Sequence, residues 1–219
     1  MARLRSGFHS IHMHKESISV VIPCYTHADF LDEAIESVLV QTYPHVEIIV
    51  IDDGSPDNVR AVAARYLGVR CVHQENQGLA AARNRGIQES HGTYLVFLDA
   101  DDRLLPNALE AGVACLDAHP ECAFASGGFR YTGPDGRVVG DPVVPRISTD
   151  HYVEMLKRSY ISMHASVMFR REILERVNGF DASIRVCEDY DLYLRIARGH
   201  PVCCHGSVVA EYRRHASNV

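Results

Sequence analysis

Along the first hundred residues, short blocks that are mostly apolar alternate with longer blocks in which apolar residues recur every three or four. The solid blocks are Ile18 to Ile22, Val46 to Ile51, Val69 to His73 and Tyr94 to Leu98, all rich in β-branched or aromatic side chains. Such runs present no polar face, so they predict strands covered on both sides, as inside a parallel sheet. The first strand is expected to stop at Pro23. Between the strands, Leu31, Ala34, Ile35, Val38 and Leu39 predict a helix whose first turns carry Asp29, Asp32 and Glu33, suited to the positive end of its dipole. Ser55-Pro56 predicts an N-cap and first helical position for a second helix burying Val59, Val62, Ala63 and Tyr66, ended by Gly68. Gly78 to Ser90 predicts a third, Ala-rich helix. Strand and helix in strict alternation predict a right-handed, doubly wound α/β sheet, with ligands outside the carboxyl ends of its strands.

The second half is less regular. A helix from Pro106 to about Ala118 precedes a strand at Cys122 to Ser126, and Phe129 to Val139 predicts a hairpin around Gly133-Pro134-Asp135-Gly136. Residues 140 to 148, with Pro142 and Pro145, predict an irregular loop. There follow a helix near 150 to 159, a strand near Ala165 to Arg170 and the turn Asn178-Gly179-Phe180-Asp181. A helix from about Glu188 to Arg198, closed by Gly199, and a last strand, Val208 to Tyr212, complete the chain. No repeat or long linker divides it.

The bulk numbers exclude more than they select. A chain of 219 residues that is 47% hydrophobic and 23% charged can build a real core. A net charge of −6 argues against a nucleic-acid surface, and no apolar run approaches the roughly 18 residues of a membrane span. Met1 to Lys15 has basic residues without an apolar segment, so it does not predict a signal peptide. Its His9, His12 and His14 are the kind that bind metal, but a frayed terminus accounts for them. Seven cysteines without a C-x-x-C spacing predict reduced core thiols rather than a zinc ribbon, which points to a cytosolic location.

Chemistry concentrates where the predicted strands end. After Tyr94 to Leu98 come Asp99, Asp101 and Asp102, three carboxylates within four positions. Like charges that close repel unless something holds them, and a hard divalent cation such as magnesium takes oxygen ligands while keeping substrate phosphates in its shell. A solvated acidic turn before the Pro106 helix would need only one of the three. Asp52 and Asp53 end the second strand beside an anion-friendly helix start, where they suit the N–H of a base edge or ribose hydroxyls, beyond what a cap requires. Arg83, at the edge of the packed side of its helix, suits phosphate or stacking on a base, whereas Arg85 reads as surface. Glu188-Asp189 opens a helix. Either helix capping or a base whose pKa is raised by burial against Tyr190 or Tyr193 explains it. His215, after Arg213 and Arg214, is placed to meet a metal or phosphate.

Taken in series, ISVVIPCY, VIDDGS, GLAAARNRGI, YLVFLDADD, NGFDASIRVCEDYDLYLR and YRRHASN resemble a family-2 glycosyltransferase of the GT-A fold, over about residues 18 to 218. The resemblance implies a single doubly wound domain at 18–219 behind a flexible tail at 1–17. Its mostly parallel nucleotide-binding half would be 18–105 and its mixed acceptor and catalytic half 106–219. It implies an inverting transfer of a sugar from a nucleotide-diphospho-sugar, a UDP-sugar as first choice, to a hydroxyl of a glycan, lipid-linked or other acceptor in polysaccharide, lipopolysaccharide or other glycoconjugate synthesis. Pro23, Tyr25 and Asp52 or Asp53 would hold base and ribose with Arg83 nearby. Asp99 and Asp101 would face ribose and a manganese or magnesium ion that Asp102 shares, and His215 would complete the metal or diphosphate site. Asp189 would be the general base, with Glu188 beside it.

Processive members carry Q-x-x-R-W and membrane spans; this chain has no Trp, so single-sugar addition is implied. The chain stops soon after His215, where relatives often continue, leaving room for a further domain or a homo-oligomer, in the cytoplasm or at the inner face of the membrane. The acceptor is expected around Tyr131, residues 140 to 148 and Met163-His164. Two other readings compete: a catalytically silent nucleotide-sugar-binding module of a larger protein, and a nucleotidyltransferase. The latter is disfavoured because Pro23-Cys24-Tyr25-Thr26-His27 stands where a Gly-rich basic loop belongs.

Overall fold

The structure, a computed structural model, describes residues 16–147 and 150–215. The histidines of the N-terminal tail, residue 148 and the Ala216-Ser217-Asn218 end of the last motif lie outside them. Four strands, β1 (Ile18–Cys24), β2 (Val46–Asp53), β3 (Val69–Gln74) and β4 (Tyr94–Phe97), pair in parallel in the order β3-β2-β1-β4. Helices α1 (Ala28–Leu39), α2 (Val59–Ala63) and α3 (Leu79–Glu89) connect them. Alternate residues of β1 feed opposite faces, Val20 and Ile22 toward α1 and Val21 toward α3, which is why the strand is buried throughout and, Ser19 apart, apolar. Gly86 lets α3 lie directly on β1: a Cβ there would stand 2.1 Å from Val21 Cγ1.

The sheet continues from β4 with antiparallel β8 (Val167–Arg170) and then β6 (Phe124–Thr132), which carries β7 (Val138–Val143) beside it. The last long strand, β9 (Cys203–Arg213), runs parallel to β6 and pairs at its far side with the two-residue β5 (Arg103–Leu104). Helices α4 (Ala108–Ala118), α5 (His151–Lys157), α6 (Arg171–Arg176) and α7 (Glu188–Ala197) complete the fold. The sheet is thus parallel in its first four strands and mixed beyond them. Helices α1, α2 and α4 share one hydrophobic core, and α3, α5, α6 and α7 the other.

Several local expectations are corrected. Strand β1 runs through Pro23, because beyond Val21 only β2 still pairs with it and the missing N–H costs no bond toward β4. Ser55-Pro56 does not start α2, which begins at Val59 with Asn58 before it. Instead Ser55 Oγ accepts from Thr26 N at 3.2 Å and Asp57 N at 3.1 Å, tying two loops together. The strand at 122–126 and the first arm of the hairpin are one strand, β6, whose ladder slips around Gly127 and Gly128. The hairpin's second strand extends to Val143, through the stretch expected to be irregular. β5 and α6 had no signal of their own, and a 3-10 turn, His164–Ser166, precedes β8.

Candidate active site

Strand order reverses between β1 and β4, and at such a switch point the following loops diverge and open a crevice. A cleft of about 550 Å³ lies there, with Pro23, Tyr25, Asp53, Asp99, Asp101 and Asp102 among the residues lining it. Tyr25 is exposed at its rim.

His27, Asp101 and His215 bring one ligand atom each to within 4.8 Å of one another. His215 Nε2 lies 2.9 Å from Asp101 Oδ2, and His27 Nδ1 lies 4.0 Å from the same oxygen. Phe30 stacks on the His215 ring at 5.0 Å. The pairing of β5 with β9 delivers His215, placing Arg103 against Glu211 and the end of β9 over Asp101 and Asp102. Arg213 Nε donates to Asp101 O at 3.0 Å, and Arg213 N donates to Asp102 Oδ1 at 2.9 Å. Asp102 therefore stands outside the three-residue cluster. Burial first, and Asp101 and Asp99 next, push its carboxyl well above the usual range against the opposing pull of Arg213.

Asp52 and Asp53 are not spare acids. Asp52 is held by His73 Nδ1 at 2.8 Å and by Ser55 N at 3.0 Å. Asp53 accepts from Gln74 Nε2 at 2.7 Å, Gln77 N at 3.0 Å and Gly78 N at 2.9 Å, so it shapes the loop that forms one cleft wall.

Arg83 is buried below the cleft, not displayed in it. It donates Nη1 to Glu188 Oε1 at 2.6 Å and Nη2 to Asp99 Oδ1 at 2.8 Å, over the ring of Phe180. Burial opposes its charge, but the two carboxylates outweigh it and the guanidinium pKa is raised. This bridge ties the start of α7 to the exit of β4. Cys187, just before Glu188, is held in the left-handed region (φ 63°), a conformation an L side chain adopts at a cost. Glu188 is committed to Arg83. Asp189 beside it is half-buried and accepts from Tyr190 N at 2.7 Å. Its pKa is raised by burial, with Arg83 pulling it down and Asp99 pushing it up. Met163 and His164, expected near an acceptor, are buried instead, with His164 between Phe97 and Tyr193.

Sequence reasoning left His27 out of the cluster, although its place in the loop after β1 was the available signal. It also treated Arg213 only as a flank of His215, because the buried position of an Arg cannot be read from a single strand.

The strand order, with a cleft at its switch point, is that of an α/β fold of the GT-A type. The glycosyl transferase family 2 model matches residues 19–177, and the chain belongs to that family. It is 30% identical over 205 residues to the Bacillus subtilis glycosyltransferase TuaG, assigned to teichuronic acid biosynthesis, covering 91% of this chain and 79% of TuaG. Four other curated glycosyltransferases share 30–32% identity, and the chain spans only 34% to 64% of their length. The crystal structure of S. aureus TarS 1-349 with UDP-GlcNAc superposes with a TM-score of 0.76 at 18% identity, over 92% of this chain and 60% of that one. Mannosyltransferase PcManGT from Pyrobaculum calidifontis, with GDP-Man and Mn2+, gives 0.71 at 22% identity over 91% and 57%. At such identities the likeness is one of fold. Among the described residues no helix is long and apolar enough to cross a membrane.

Proposed function

We propose that this chain transfers one sugar, with inversion, from a nucleoside diphosphate sugar to an acceptor hydroxyl. The observation that carries the reading is the Asp99–Arg83–Glu188 bridge, which fixes the base-bearing end of α7 against the strand exit that bears Asp101. In this reading Pro23, Tyr25 and Asp53, which line the cleft, meet the nucleoside, and Asp99, also in the lining, meets the ribose and sugar. Arg83 acts by positioning Asp99 and Glu188. Asp52 supports the wall from behind through His73.

Two imidazoles and a carboxylate form a mixed nitrogen and oxygen set that suits manganese better than magnesium, which favours oxygen throughout. His27, Asp101 and His215 would hold such an ion, whose charge would stabilise the departing diphosphate. Asp189 receives the proton of the acceptor hydroxyl as its oxygen bonds to the anomeric carbon. The bond from that carbon to the diphosphate oxygen breaks, and its electron pair leaves with the nucleoside diphosphate. Displacement from the opposite face inverts the configuration. The raised pKa of Asp189 brings it closer to the range useful for a base.

The relation to TuaG and the fold shared with TarS support a role in making a surface or cell-wall glycan. The test is a screen of UDP- and GDP-sugars with Mn2+ and an acceptor panel, read as nucleoside diphosphate release and as the anomeric configuration of the product by NMR. Retained configuration overturns the mechanism. Donor binding with no release above that of Asp189→Asn makes the chain a silent binding module within a longer protein.

A further inference from the structure

A second cleft, of about 440 Å³, shares the wall formed by Asn76, Gly78 and Leu79 with the first. Its opposite wall is Ala182, Ile184 and Arg185, on the segment that leads three residues later into Glu188 and then Asp189. That segment is braced. Asn84 exchanges two 2.8 Å hydrogen bonds with the backbone of Phe180, and Asp181 accepts from Ser183 N at 2.9 Å through its carboxylate and from Ile184 N at 3.1 Å through its carbonyl. Arg185 itself makes no hydrogen bond or ion pair among the described residues, whereas Arg83 and Arg195, also near this segment, are paired with carboxylates. A guanidinium without a carboxylate partner, carried by a braced segment on the wall of a cavity, is a receptor for an anion. Leu79 and Ile184 offer the apolar surface on which the face of a sugar ring can lie.

We propose that this second cleft receives the acceptor, that the acceptor carries a phosphate or carboxylate close to its reacting hydroxyl, and that Arg185 reads that charge. The inference rests on the transferase reading above. The first cleft, with His27 and Asp101 of the cluster in its lining, is assigned there to the donor and its diphosphate, which leaves the adjoining cleft, walled by the segment that runs into Glu188 and Asp189, for the incoming alcohol.

The test uses the full chain labelled with 15N and three probes: glucose 6-phosphate, glucuronate and glucose. Each is titrated with and without Mn2+ and UDP or GDP. The expected result is saturating shifts of the Gln77 to Ala80 and Ala182 to Arg185 amides with the two charged probes, and none with glucose over the same range. Arg185→Ala and Arg185→Gln should weaken the charged probes by about tenfold to a hundredfold, the loss of one charge-assisted contact, while Mn2+–nucleotide affinity stays within about twofold. Equal binding of glucose, or unchanged affinity in both variants, overturns the proposal. A parallel loss of nucleotide affinity also overturns it, by assigning Arg185 to the donor. If neither nucleotide binds, the transferase reading fails, and the titrations without nucleotide still decide whether the cleft selects anions.

Discussion

Replacing Arg83 by methionine isolates the bridge on which the proposed catalytic arrangement depends. The side chain is 3% exposed and sits between Glu188, whose side chain is 7% exposed, and Asp99, whose side chain is 35% exposed. Methionine keeps most of the volume and removes the cation, so Glu188 is left as a buried carboxylate without its partner. Breaking a buried pair from one side costs about 3–5 kcal/mol. In a chain of this size that lowers Tm by roughly 6–20 °C. Asp99 adds little, because water can replace the lost contact at its more exposed carboxylate. Arg83→Met/Glu188→Gln removes both charges, and replacing a whole buried pair is often close to neutral, so the double variant should recover most of the loss. Urea unfolding followed by circular dichroism at pH 7 measures all three proteins, and nucleoside diphosphate release measures transfer. Transfer should stay low in the double variant although stability returns, because α7 is no longer tied to the β4 exit. A single variant within about 1 kcal/mol of the parent, or a double variant no more stable than the single, refutes the reasoning.

Four further outcomes are expected. Asp189→Asn should hold donor affinity within about twofold and lose about 10² to 10⁴ in transfer rate, and full activity would remove Asp189 from the mechanism. As the proposed base, Asp189 acts in its ionised form and burial raises its pKa, so kcat/KM should fall as pH drops through a value above the usual carboxylate figure of about 4. That limb should move higher still in Arg83→Met, which deletes a charge that pulls it down; a limb at about pH 4 in both proteins contradicts this. His27→Ala should remove at least about tenfold of the Mn2+-dependent nucleotide affinity measured by calorimetry, and equal affinity with and without EDTA would dissolve the metal site. Gly86→Ala should cost about 1–3 kcal/mol, since its Cβ would meet Val21 Cγ1 at 2.1 Å; an unchanged unfolding midpoint would mean that α3 shifts freely on β1.

The first half was legible because parallel strands covered on both faces leave an unmistakable run of apolar residues. Ile18 to Ile22, Val46 to Ile51 and Tyr94 to Leu98 all lie where that pattern put them, to within a residue or two. The second half was harder because its strands are held by long-range pairing, not by their own composition. β5 has two residues and exists only because β9 runs beside it, and β9 is more than twice as long as its apolar run suggests. The residues around the cleft were legible as types but not as partners. Arg83 was visible as an Arg on an Ala-rich helix, yet nothing within eleven residues of it foretells Glu188, which is 105 positions away. His27 was passed over for the same reason, since its cluster mates lie on β9's end and after β4.

How three acids coexist at the exit of β4 is answered by giving each a different neighbour. Asp99 meets Arg83 and through it α7. Asp102 meets the backbone of Arg213 and through it β9, and its deep burial favours the protonated form. Arg213, 2% exposed, also reaches Asp101 O and Glu33 of α1, so three elements converge on one guanidinium. The outer two acids are therefore anchors, one for the helix that bears Asp189 and one for the strand that bears His215. Asp101, between them, is left with its carboxylate against the two imidazoles. Loss of either anchor should act at a distance, with Asp99 variants disturbing the base and Asp102 variants disturbing the histidine. Asp101 variants should disturb only what the cluster holds. A metal-affinity measurement on Asp99→Asn and Asp102→Asn separates the two: the first should leave Mn2+ affinity in place and the second should lower it.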